Sequence, residues 1–122
     1  DMISQTAGRS AVTVTSGAAV AMLSVDTADP ATAAGVAIPR AFSWTLILTA
    51  DQDVAVKVYV AAGSNCGLQL VSGWNGTATS SAPYVLSVSA QPYTRIYVTA
   101  QASATTATNV NCDLVVQSSA VL

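Results

Sequence analysis

Apolar and polar residues alternate along much of the chain. Phe42, Trp44, Leu46 and Leu48 fall on one face and Ser43, Thr45, Ile47 and Thr49 on the other, the period of two that marks a half-buried strand. After Ala50-Asp51-Gln52-Asp53 the alternation resumes, with Val54, Val56, Val58 and Val60 set against Ala55, Lys57, Tyr59 and Ala61. Two such strands joined by four mostly polar residues predict a β-hairpin. Further along, Gly63-Ser64-Asn65, Gly73-Trp74-Asn75-Gly76 and Gln91-Pro92 read as turns. They divide the remainder into short strands near residues 67–72, 84–90, 94–101 and 110–117. In the last of these Val110, Cys112, Leu114 and Val116 oppose Asn111, Asp113, Val115 and Gln117.

Before residue 41 the pattern weakens. Ala11–Thr15 and Ala18–Val25 qualify as strands, and 26–39 is mostly Ala, Thr, Asp, Gly and Pro. Small side chains bury little area, so this segment is expected to add little core at about 25 cal/mol per Å². It reads as an arm or as edge strands. A short Ala-rich helix over Thr32–Val36 is also compatible, limited by Gly35, Pro30 and Pro39. Short punctuated strands with no helical stripe predict an all-β fold: an antiparallel β-sandwich or jelly roll over residues 41–122, with an extended N-terminal arm over 1–40.

Composition narrows the function. Of 122 residues only 8 % are charged, with four Lys or Arg, six Asp, no Glu and no His, where soluble domains average roughly 25 %. Without His there is no Ser-His-Asp or Cys-His nucleophilic site and no His-ligated metal. A net charge of −2 with four scattered cations does not make the basic footprint of a nucleic-acid binder. Polar and turn residues interrupt the uncharged stretch Val58–Thr94, so it is not the run of about 20 apolar residues that spans a membrane. The chain opens on Asp1 without a basic head and apolar stretch, and a first residue other than Met points to processing or trimming. No cofactor, metal or small-molecule substrate is expected, and the chain does not read as an enzyme.

Individual residues suggest a few sites. Cys66 follows the Val54–Ala61 strand by one turn and Cys112 lies on an apolar strand face, so the two are candidates for a disulfide or for buried thiols. Asp26, Asp29, Asp51 and Asp53 lie in loops, where carboxylates bind calcium if three or more converge but more often shape turns. Asn75-Gly76-Thr77 fits the N-glycosylation pattern. Trp74 in its turn, together with Val12, Val14, Val20 and Leu23 of the N-terminal segment, are candidate interface residues. Trp74, Tyr84 and Tyr93 are also candidate stacking rings for a carbohydrate.

A surface of Ser, Thr, Asn, Gln and Ala packs against neighbours without removing ions from water, and it lacks the lysines that deter strand edges from pairing. This favours a structural subunit of a permanent assembly. Thr49-Ala50-Asp51-Gln52-Asp53-Val54-Ala55-Val56, Arg95-Ile96-Tyr97-Val98-Thr99-Ala100 and Asn109–Val116, within residues 42–117, resemble small all-β capsid decoration (cement) proteins of tailed phages. The resemblance implies a place on the virion surface, often as a trimer. The partners would be copies of itself and a major capsid protein, with residues 1–40 as the contacting arm. The alternative is an extracellular filament subunit that polymerises when its N-terminal segment adds a strand to the next molecule.

Overall fold

The computed structural model describes residues 4–118; residues 1–3, Asp1 among them, and 119–122 lie outside them. The described residues form β1 (Ser4–Val14), β2 (Val20–Ala21), β3 (Val36–Ala37), β4 (Ser43–Thr49), β5 (Val54–Ala61), β6 (Gln69–Leu70), β7 (Gly76–Ala78), β8 (Tyr84–Val88), β9 (Arg95–Ala102) and β10 (Ala107–Gln117). A 3-10 turn at Ser72–Trp74 precedes β7. The strands make an antiparallel β-sandwich. Its front sheet has the order β1-β10-β4-β8, and its back sheet runs β2-β9-β5-β6, with β3 also on β9 and β7 also on β5.

The alternation read from the sequence places the core. Trp44, Leu46 and Leu48 from β4 and Val110, Cys112, Leu114 and Val116 from β10 point inward from the front. Val54, Val56, Val58 and Val60 from β5 and Ile96 and Val98 from β9 meet them from the back. Each fully buried aliphatic side chain of this kind contributes roughly 1.5–3 kcal/mol.

The hairpin expected between β4 and β5 does not form. β4 pairs with β10 and β8, whereas β5 pairs with β9, β6 and β7. Residues 50–53 are an arch that carries the chain across the core, so that two apolar stripes face each other instead of lying side by side. The Asp51 carboxylate fixes this arch to the start of β10, accepting from the Thr108 amide at 3.0 Å, the Thr108 hydroxyl at 2.8 Å and the Asn109 amide at 3.2 Å.

Residues 4–14, within the segment expected as an arm or as edge strands, run as β1 beside β10, from Ser4 opposite Gln117 to Val14 opposite Ala107. Two register shifts interrupt the pairing. At the first, Ala11 sits in the left-handed region at φ 54° and its amide donates to the Asn111 side chain at 2.8 Å, a β-bulge held by a side-chain acceptor. Gly8 is required nearby: at φ 152°, a Cβ there would run into the Cys112 carbonyl oxygen.

No helix forms over 32–36. The Asp29 carbonyl accepts the amides of Thr32 and Ala33, and the Asp29 carboxylate that of Ala31, which makes a single turn. The Asp26 carboxylate then takes the amides of Ala34 and Gly35 and redirects the chain into β3. This small-residue loop covers the outer side of the back sheet, where Ala21 and Ala33 pack on Tyr97 and the Tyr97 hydroxyl donates to the Thr27 carbonyl. β9 is therefore buried on both faces, Tyr97 and Thr99 included.

Leu46 has no exposed surface, and Leu46→Ala is expected to lower the unfolding free energy by about 3 kcal/mol. Ile47→Ala, one residue along on the outward face, is expected to cost less than about 1 kcal/mol. Denaturant titration of the two variants checks both values.

Candidate interaction surface

Because Leu46, Leu114 and Leu86 point toward the core, their odd-numbered neighbours form the outward face of the front sheet. The register sets them in rows: Thr6, Val115, Thr45 and Ser87 in one, and Gly8, Asp113, Ile47 and Val85 in the next. Thr45 and Ser87 share a hydrogen bond at 3.0 Å, while Ile47 is 41 % and Val85 55 % exposed. Asp113 is the one ion in these two rows. The result is a face of hydroxyl, methyl and methylene groups around a single carboxylate.

The arginines are absent from it because they fasten loops. Arg9 donates to the Ala21 carbonyl at 2.9 Å, Arg40 to those of Ala62 and Pro92, and Arg95 to that of Ala34. Lys57 is exposed on the outer side of β5. Isolated cations in the sequence carry no sign of this role, since their acceptors are main-chain groups 12 to 61 residues away.

Most of the residues expected at an interface lie elsewhere. Val12, Val14 and Leu23 are buried in the core, and Val20 packs partly buried against it. Val12 and Val14 follow the inward alternation of β1, Val20 lies on the inward face of β2, and Leu23 follows just after β2. Trp74 is half-buried, meeting Trp44 edge to face at 5.4 Å and Tyr93 at 6.0 Å, and its carbonyl accepts from the Tyr84 hydroxyl. Tyr84 is buried, so Trp74, Tyr84 and Tyr93 form an internal cluster and not a stacking platform for sugar. Asn75 is exposed between the 3-10 turn and β7.

The cysteines are not bridged. Cys66 lies exposed in the loop after β5 and Cys112 is buried in β10, both as free thiols: of the two alternatives, a Cys66–Cys112 disulfide is not formed, and only Cys112 is a buried thiol. Burial pushes the Cys112 thiol up to about 12, with the Asp113 carboxylate adding to the shift. One thiol per chain is expected to react with a colorimetric disulfide reagent in the native protein, and two in denaturant.

Three of the loop carboxylates, Asp26, Asp29 and Asp51, accept main-chain amides. Among the described residues no group of three or more His, Cys, Asp or Glu is placed to hold a metal ion. Asp51 is held below its ordinary 3.8, first by the Thr108 hydroxyl and then by the Asn109 amide, and Asp26 is lowered chiefly by the Gly35 amide. Both contribute stability while ionised, and that stability is lost as the pH falls through the lowered folded values. Thermal unfolding from neutral pH down through the carboxylate range is expected to show this loss. Asp51→Asn should reduce the slope and lower the neutral-pH stability.

Two cavities of about 70 and 130 Å3 lie beside Lys57 and Tyr59 and beside Ala7 and Val36, well below the roughly 300–1,000 Å3 of a small-molecule site. No helix among the described residues is long and apolar enough to cross a membrane. No protein-family model matches the chain, and no curated protein matches it. A solved structure of infectious bursal disease virus, Gx strain, is similar in backbone, with 14 % sequence identity and a TM-score of 0.44 over 97 % of this chain and 32 % of that one. The chain thus spans about a third of the length of the chain that it matches.

Proposed function

We propose that this chain is a non-enzymatic structural subunit of a large assembly, foremost a decoration subunit on the surface of a virion shell. The carrying observation is the outward face of the front sheet, where two cross-strand rows hold Asp113 as their single ion beside exposed Ile47 and Val85. A dispersed domain usually has roughly a quarter to a third of its surface positions charged. A face of hydroxyl and methyl groups instead packs against a neighbour at low desolvation cost. The small cavities and the absence of His give no support to an enzyme.

In this reading the partners are further copies of the chain and a shell protein. Val25, 87 % exposed in the loop after β2, is the apolar residue of the N-terminal segment best placed to touch the shell. The filament alternative requires that segment to complete another molecule's sheet, but β1 already pairs with its own β10 from Ser4 to Val14. Donating it would unmake the front sheet.

The purified protein is expected to bind assembled shells from its source and to appear on them as surface knobs in electron microscopy. A thin fibre in place of a decorated shell would overturn the decoration role. A protein that stays a single copy at millimolar concentration and binds no particle would overturn the assembly reading.

A further inference from the structure

The two edges of the front sheet are built differently. β1 is protected against further pairing by its two register shifts, the bulge at Ala11 and the charge of Arg9. At the other edge β8 pairs, among the described residues, with β4 alone, in unbroken register from Tyr84 opposite Leu48 to Val88 opposite Trp44. It contains no proline and no ion, and the chain carries no charge from Val58 to Thr94. The inward side chains Leu86 and Val88 are only half-buried against the core, while Val85 is exposed on the outward side.

Resting on the assembly reading, we infer that β8 is a self-pairing edge: the β8 of a second copy adds to it antiparallel about a two-fold axis, joining two front sheets into one. The main-chain groups along the side of β8 that no described strand takes offer an extended strand a ready complement. A second copy supplies one whose side-chain parity matches. With the axis at Leu86, Leu86 faces Leu86, Val85 faces Ser87 and Tyr84 faces Val88, so inward residues lie beside inward ones and outward beside outward. Two uncharged strands meet without repulsion. The pairing also covers Leu86 and Val88, which the single chain leaves partly open, and the contact is isologous, so it closes as a dimer.

Sedimentation velocity of the full chain over rising concentration, combined with hydrogen exchange, tests this. The chain is expected to dimerise, with protection of the Tyr84–Val88 amides rising with concentration. Ser87→Lys is expected to weaken the dimer about tenfold or more, because each lysine meets Val85 of the other copy in an uncharged row. Thr13→Lys, at the opposite edge, should leave association unchanged. Circular dichroism and thermal unfolding establish that both variants fold. Association that Ser87→Lys leaves intact, or protection that rises elsewhere but not in β8, would overturn the self-pairing and leave the assembly reading standing. A single copy that still binds shells does the same, whereas a single copy that binds no particle overturns both.

Discussion

Residues 50–53 carry the chain from the front sheet to the back, and the clasp of Asp51 on Thr108 and Asn109 fixes where that crossing stands. Were β4 and β5 neighbours in one sheet, their apolar stripes would lie on a common face and each would still need cover from elsewhere. The arch instead sets Trp44, Leu46 and Leu48 against Val54, Val56 and Val58, so the two most regular strands cover each other. The same carboxylate holds the start of β10, the strand between β1 and β4. One polar anchor thereby ties the arch to a central strand of the front sheet.

The arch also shows what the sequence reveals and what it withholds. A period of two states which side chains of a strand are buried, and this reading was accurate for β4, β5 and β10. It does not state which strand lies alongside, because a hairpin and an arch put the same residues inward. The turn-rich segment before residue 41 was harder to read. Its small side chains look like poor core, yet Ala21 and Ala33 are buried because only small groups fit between the loop and Tyr97. The helix suggested over Thr32–Val36 stops at one turn closed on Asp29, because Gly35 turns into the left-handed region at φ 69° and the Asp26 carboxylate, outside that turn, takes the Ala34 and Gly35 amides. The front face was legible only as a shortage of ions. Its rows depend on register, which no single strand specifies.

The few ions that the chain has are spent mainly on its own backbone. Arg9, Arg40 and Arg95 reach main-chain carbonyls, and Asp26 and Asp51 gather main-chain amides. Charged hydrogen bonds of this kind are stronger than neutral ones, and here they pin loops that hold little apolar mass. The cost is a surface with little charge left to repel other molecules.

The placement of β10 sets the timing of folding. It is the last strand among the described residues, yet it lies between β1 and β4 and pairs with residues as distant as Ser4. Such long-range pairing forms slowly, because distant segments must find each other before any contact rewards the search. During synthesis β1 and β4 emerge from the ribosome long before the strand that joins them. Until β10 is available, β1 and β4 have no partner between them, and the front sheet cannot close.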